Sequence, residues 1–155
     1  MTSQQPAIRK RKDPASDEWC TPRDLALDLG TFDLDPCSND RSHVRTERRI
    51  CLPENGLVAE WSGSVFVNPP YSNPMPWCQR LALHRGPWVA LLKLDPTTKW
   101  FAELVRCGAS HAAFRKRLSF ERPGKKPMTA NFPSVLAWHW WTPPTAIAER
   151  LWLLR

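Results

Sequence analysis

The sequence lacks the features that mark membrane and secreted proteins. Nowhere do about 18 apolar residues follow one another, which is the length that a membrane-spanning helix requires, so we expect no such helix. The opening residues, MTSQQPAIRKRK, have no apolar core, and we therefore expect no signal peptide. Internal repeats and low-complexity segments are also missing, which leaves a conventional folded domain as the expectation.

A disulfide framework and a metal site are equally unsupported. No C-x-x-C pair occurs among the five cysteines, which are Cys20, Cys37, Cys51, Cys78 and Cys107. Their odd number argues against a closed set of disulfides, so we expect reduced thiols and a cytoplasmic protein. A zinc site in which His43 or His111 joins two cysteines is the alternative, but no ligand spacing supports it, and we expect no metal.

Acidic residues are the minority, with 15 Asp and Glu against 22 Lys and Arg and a net charge of +7. Clustered cations release counterions from nucleic acid, so the excess indicates a polyanionic partner; a basic protein without such a partner is the alternative. At 155 residues the chain has room for one catalytic domain but not for a large recognition domain as well. We predict a flexible basic arm over residues 1–16 and a single domain over residues 17–155.

Helical and strand patterns alternate after the arm. Strands are predicted at TFDLD, SVFVN, WVALLKLD, HAAFRK and SVLAWHWW. Helices are predicted at TPRDLALDL with Thr21 as N-cap, at NPMPWCQRLALH, at TTKWFAELVRC and over about residues 143–153. Residues 37–60 show no regular pattern, and the basic connection RLSFERPGKKPMTANFP separates the last two predicted strands. This order predicts an α/β domain with a mostly parallel sheet, in which the late strand pair supplies an antiparallel edge.

The stretch VFVNPPYSN places a polar side chain at the end of an apolar strand. In parallel sheets ligands bind at the carboxyl ends of strands, where both Asp35 and Asn68 are expected. The side-chain carbonyl of Asn68 and the backbone carbonyl of Pro69 offer two acceptors for a planar amine, and Tyr71 offers a face on which a nucleobase can stack. The alternative is a rigid turn in which Asn68 caps backbone groups and Tyr71 covers the core.

Several blocks in fixed order carry a family resemblance. They are DEWCTP, LDPCSND, ENGLVAEW, NPPYSNPMPWCQ, TKWF, RLSF and FPSVL, within about residues 17–137. In this order they resemble the phage-type DNA N-6-adenine methyltransferase (Dam-like) family. The resemblance implies a Rossmann-like, S-adenosylmethionine-dependent fold that methylates the 6-amino group of adenine in DNA after base flipping. It also implies a phage or prophage protein in the bacterial host cytoplasm, and it leaves a monomer and a weak dimer both open.

Site residues follow from the resemblance by position. It implies a catalytic quartet, which consists of Asn68, Pro69, Pro70 and Tyr71. It implies a cofactor site, formed by Trp19, Thr21, Pro22, Asp35, Pro36, Cys37 and Glu54, with Glu47 a poorer candidate than Glu54 for the acid that binds the ribose. Trp19 can instead anchor the arm, Thr21 can only cap a helix, and Asp35 can only satisfy loop amides.

One block departs from the methyltransferase pattern. The residues CSND stand where many methyltransferases have a glycine-rich turn, and Asn39 is the residue among them that best tolerates a positive φ. The departure leaves open a domain that has kept the fold and DNA binding but lost the cofactor. Within enzymes, cytosine N4, RNA and a protein glutamine remain alternative substrates, because the quartet can hold any planar amine.

Basic residues concentrate around a Pro-Gly turn late in the chain. They are Arg115, Lys116, Arg117, Arg122, Lys125 and Lys126. We predict that this basic flap lies along the DNA phosphate backbone, with a solvated loop as the alternative. Because the flap offers few acceptors for base edges, we expect low sequence selectivity.

Overall fold

The computed structural model describes residues 19–122 and 124–153. The predicted arm, residues 1–16, lies outside the described residues. The elements are α1 (Arg23–Leu29), β1 (Thr31–Asp35), β2 (Arg45–Arg49), β3 (Val65–Val67), α2 (Met75–Leu83), β4 (Trp88–Lys93), α3 (Lys99–Arg106), β5 (Ser110–Ala113), β6 (Ser119–Arg122), β7 (Lys125–Thr129), β8 (Ser134–His139) and α4 (Thr145–Ala148). Within the described part of the chain, no helix is long and apolar enough to cross a membrane.

The main sheet has six strands in the order β2-β1-β3-β4-β8-β5. Strands β2, β1, β3 and β4 run parallel to one another, whereas β8 is antiparallel to both of its neighbours. Strands β6 and β7 form a separate antiparallel hairpin. The prediction of an α/β domain with a mostly parallel sheet and an antiparallel edge is confirmed.

Helices cover both faces of the sheet, and the strands show why. On β4, Trp88, Ala90 and Leu92 point into one core together with apolar residues of α2 and α3. Val89 and Leu91 point into the opposite core, which contains apolar residues of α1 and α4. Successive side chains of a strand alternate between faces, so a strand covered on both sides must be apolar throughout. The run WVALLK meets that requirement.

The prediction that residues 37–60 are irregular is wrong for β2. The sequence RTERR shows no alternation of apolar and polar residues, and four of its five side chains are exposed in the structure. The segment is a strand because it pairs with β1 along the edge of the sheet, where Thr31 faces Arg45 and Asp35 faces Arg49. Charged side chains are typical of edge strands, which they protect from further pairing.

Three further boundaries differ from prediction. The basic connection contains the β6–β7 hairpin. Helix α1 begins at Arg23 with Pro22 as N-cap, so Thr21 is not its cap. The last helix ends at Ala148 because the chain then extends beside β5. There the N–H of Trp152 donates to the carbonyl of Ala113 at 2.8 Å, and this pairing replaces the last helical turns.

Parallel strand order brings three polar side chains to one edge. Asp35 ends β1, Asn68 follows β3, and Lys93 ends β4. Strand β3 lies between β1 and β4 in the sheet, so the three positions are neighbours although 58 residues separate the first from the last. The carboxyl ends of β1, β3 and β4 form the edge at which open α/β sheets bind ligands.

Candidate active site

The side-chain amide of Asn68 is held by the segment that precedes α1. Its Nδ2 donates to the backbone carbonyl of Trp19 and to Oγ1 of Thr21, each at 3.3 Å. Its Oδ1 accepts no hydrogen bond from the residues that the structure describes. Thr21 is buried, and its hydroxyl oxygen accepts a hydrogen bond from Asn68 rather than capping α1. The two donor contacts therefore orient the amide and leave its acceptor for a ligand.

A cavity of about 480 Å³ opens between Asn68 and the loop that follows Asp35; we call it the strand-end cavity. Six of the predicted cofactor or catalytic residues line it, namely Trp19, Pro36, Cys37, Glu54, Asn68 and Pro70. Residues that were not predicted also line it, including Ser38, Asn39, Cys51, Asn55, Gly56 and Trp77. Pro22 lies elsewhere, on a cavity beside Arg115 and Arg150, and Glu47 is exposed on β2.

Asp35 is buried and does not line the strand-end cavity itself, whereas the next two residues, Pro36 and Cys37, do. The carboxylate is buried and accepts a hydrogen bond from the N–H of Cys37 at 3.1 Å. Burial raises the pKa of Asp35 to about 6, against the opposing effects of hydrogen bonds from Cys37 and Ser38 and of the charge of Arg49. A cationic ligand in the adjacent cavity would favour the ionised form of this carboxyl.

The CSND loop needs no glycine. Trp140 is the one non-glycine residue with a positive φ among residues 19–122 and 124–153, so Asn39 does not adopt the left-handed conformation. The Oδ1 atom of Asn39 instead accepts a hydrogen bond from the N–H of Arg41 at 2.9 Å. The close approach comes from the opposite wall, where a Cβ on Gly56 would lie 1.8 Å from the carbonyl oxygen of Pro36. Gly56 thereby lets the Glu54 segment pack directly against the loop.

Tyr71 faces a second cavity, of about 360 Å³, on the other side of the same loop; we call it the aromatic cavity. The Tyr71 ring meets Phe132 edge-on at 5.4 Å and Phe120 at 6.0 Å between centroids. Its hydroxyl is buried without a hydrogen-bond partner among the described residues, and burial raises its pKa. Trp19 lines both cavities. The loop from Asn68 to Tyr71 thus forms a boundary between them.

The hairpin carries part of the predicted basic flap. Arg122 lies over the ring of Trp19, with Cζ 4.9 Å from the centroid, and Trp19 lines both cavities. Lys125 and Lys126 are exposed on β7. This part of the flap can meet a polyanion that approaches the aromatic cavity.

The other part of the flap is tied into the protein. Arg115 donates from Nε to the carbonyl of Leu151 at 3.0 Å, and Arg117 donates from Nη1 to the carbonyl of Ala130 at 3.4 Å. Lys116 is exposed beside them. Arg115 and Arg117 are also exposed, so these hydrogen bonds restrict the two side chains without burying them.

Sequence reasoning missed Lys93. This lysine follows five buried residues of β4 and lines the aromatic cavity. The signal was available, because a lone charge at the carboxyl end of a buried parallel strand lies where ligands bind. His43 contacts Glu121 at 2.9 Å, and the described residues contain no group of three His, Cys, Asp or Glu side chains that could hold a metal ion.

Comparison with known proteins identifies the family. Residues 9–148 match the family described as DNA N-6-adenine-methyltransferase (Dam). A DNA N-6-adenine-methyltransferase of Haemophilus phage HP1 (strain HP1c1) is 40% identical over 80 residues, which are 48% of this chain and 46% of the phage protein. That of Escherichia phage T1 is 30% identical over 101 residues, 59% of this chain and 42% of the phage protein. The matches thus cover less than half the length of these relatives.

No solved structure matches the chain. The assignment rests instead on the sequence match, which includes both strand-end loops and the hairpin. This chain belongs to the DNA N-6-adenine-methyltransferase (Dam) family.

Proposed function

We propose that the protein transfers the methyl group of S-adenosylmethionine to the 6-amino group of adenine in DNA. One observation carries the proposal: the loop from Asn68 to Tyr71 separates two cavities, with Asn68 on one and Tyr71 on the other. A methyl donor in one cavity and a flipped base in the other would meet at this loop. The family match and the activity for which its two phage relatives are named support the same reaction.

The strand-end cavity suits the cofactor within a Rossmann-like fold. Its volume of about 480 Å³ lies in the range of small-molecule sites. Pro36 and Cys37 would border the methionine part, with the Asp35 carboxylate close behind them, and Glu54 would approach the ribose. When bound, S-adenosylmethionine supplies an electrophilic methyl group on a cationic sulfur.

The quartet would hold the target amine. Asn68 Oδ1 and the Pro69 carbonyl each accept one amino hydrogen, and the fixed φ of proline keeps the second acceptor in place. The Nδ2 contacts to Trp19 and Thr21 prevent the amide from turning its donor toward the amine. The bound cofactor would supply the methyl group to the amine nitrogen that these acceptors orient, and the methylated nitrogen would release a proton to water.

The hairpin would bring DNA to the site. Arg122, Lys125 and Lys126 supply charge for phosphates, whereas the hairpin offers few acceptors for base edges. We therefore infer low sequence selectivity for this chain. Lys116 would add a peripheral phosphate contact, while Arg115 and Arg117 act first as structural residues.

Asn68→Ala tests the reaction directly. Plasmid DNA from cells that express the wild type should resist adenine-methylation-sensitive nucleases, and DNA from cells with Asn68→Ala should not. Loss of a preorganised polar contact to the reacting group lowers turnover by about 10²-fold or more. Gln79→Ala, which removes an exposed carboxamide from α2, is the matched control and should protect like the wild type.

Equal digestion of all three DNA preparations would contradict methylation of adenine in DNA. Tritium transfer to DNA, RNA and protein, followed by nucleoside analysis, would then show whether another planar amine is the acceptor. Equal protection by the wild type and Asn68→Ala would contradict the role given to the amide.

A further inference from the structure

Lys93 places an ammonium group against the aromatic cavity. Its Nζ lies 4.5 Å from the ring centroid of Phe132 and 5.4 Å from that of Tyr71. The residue is only partly exposed, and its backbone is held in β4 between β3 and β8. The fold therefore determines where this charge lies, whereas the lysines of β7 are exposed.

Among the described residues, no salt bridge pairs the charge of Lys93. The aromatic cavity has no acidic residue in its lining. The nearest acid along the chain, Asp95, lines a neighbouring cavity with Lys93 but forms no salt bridge with it, and it accepts hydrogen bonds from the hydroxyl and the N–H of Thr97 at 2.6 and 3.3 Å. Aromatic faces attract a cation but leave its charge uncompensated.

We propose that Lys93 binds the DNA phosphate next to the flipped adenine nucleotide. The inference rests on the proposed function and adds a residue to it. A flipped nucleotide combines a flat ring with an anion, and the cavity combines aromatic walls with one uncompensated cation. A compact ammonium binds phosphate as a point charge, which suits a contact that anchors the backbone without reading the base.

The salt dependence of DNA binding tests this contact. Anisotropy of a labelled duplex, measured between 50 and 200 mM NaCl (roughly the range in which such contacts weaken), yields the slope of log Kd against log salt concentration. Each phosphate contact to duplex DNA contributes about 0.9 to that slope. We expect Lys93→Gln to lower it by about 0.9 and Lys93→Arg to retain it. Lys99→Gln removes the same charge from an exposed position on α3 and should leave the slope unchanged.

Calorimetry with S-adenosylmethionine separates the alternatives. Lys93 does not line the strand-end cavity, so Lys93→Gln should bind the cofactor as the wild type does. A tenfold loss of cofactor affinity would instead place the bound anion on the cofactor and overturn the inference. A wild-type slope in Lys93→Gln would overturn it as well, while the proposed function would stand. A wild type that binds no duplex would overturn both.

Discussion

Asp35 shows how the fold changes the chemistry of a single residue. It is only 3% exposed, and burial raises its pKa from 3.8 to about 6. Compared with the unfolded chain, the folded protein therefore favours the protonated form of this carboxyl. Its contribution to the free energy of unfolding is complete below about pH 3.8 and is lost as the pH rises through 6.

Asp35→Asn removes this pH dependence. We expect the variant and the wild type to be similarly stable near pH 4, and the variant to be more stable at pH 8 by on the order of 3 kcal/mol, since one pKa unit corresponds to about 1.4 kcal/mol. Urea unfolding at both pH values measures the difference. The Asn side chain keeps an acceptor for the N–H of Cys37, so the loop is retained.

Asp33→Asn is the control of opposite sign. Hydrogen bonds from the N–H and the hydroxyl of Ser64 lower the pKa of Asp33, so its contribution is present above the unfolded pKa and is lost as the pH falls. This variant should be less stable than the wild type at pH 8, and the difference should shrink toward acid. A difference for Asp35→Asn that does not change with pH would show that burial does not govern this carboxyl.

At the scale of elements, the hairpin is anchored on one strand and exposed on the other. On β6, Phe120 is buried, and Glu121 bonds through its carbonyl to the N–H of Cys20 at 2.9 Å and through its carboxylate to His43 at 2.9 Å. Every residue of β7 is exposed. Both strands line the aromatic cavity, β6 through Phe120 and β7 through Met128 and Thr129, and the lysines of β7 are exposed to solvent.

The double change Lys125→Gln with Lys126→Gln should act on DNA binding alone. We expect the salt slope to fall by about 2 for duplex DNA, with no change in unfolding midpoint, because both side chains are exposed and neither forms a salt bridge among the described residues. Arg115→Gln should instead lower the unfolding midpoint and leave the salt slope unchanged. It removes the bond to Leu151 and the packing on Trp152, with a loss of about 1–3 kcal/mol in stability. An unchanged slope in the double variant would remove the hairpin from the DNA interface.

At the scale of the whole molecule, distant segments must meet to form the strand-end cavity. Gly56 and Pro36 touch at a distance that no side chain would tolerate, and Trp61 donates from Nε1 to the Gly56 carbonyl at 2.8 Å. The cavity therefore depends on contact between the loop after β1 and the segment before β3. Disturbing that contact should affect ligand binding more than local structure.

Cofactor binding should therefore stabilise the wild type and not Gly56→Ala. S-adenosylmethionine at 100 times its Kd stabilises a folded protein by about 2.7 kcal/mol, which corresponds to a Tm increase of roughly 5–10 °C for a chain of this size. Thermal unfolding with and without the cofactor measures it. Gly30→Ala is the control: its φ of 92° opposes a side chain, yet nothing lies within 4 Å. It should lower the Tm but keep the increase. An equal increase in Gly56→Ala would show that the contact does not shape the site.

The amino-acid sequence by itself determined the elements whose signals are local. Apolar runs that end at proline or asparagine predicted β1 and β3, and with them the neighbouring positions of Asp35 and Asn68. The conformational limits of proline and the alternation of side chains act within a few residues, so they can be read without the fold. The family resemblance depended on the same short blocks, and the family match confirms it.

Only the tertiary structure decided the features that depend on distant contacts. RTERR becomes a strand because it pairs with β1, and Thr21 orients Asn68 across 47 residues of sequence. The same holds for Lys93, because folding brings the rings of Tyr71 and Phe132 beside its ammonium group. Burial and pairing are properties of the packed molecule, and for that reason the pKa of Asp35 and the two cavities could not be derived from local pattern.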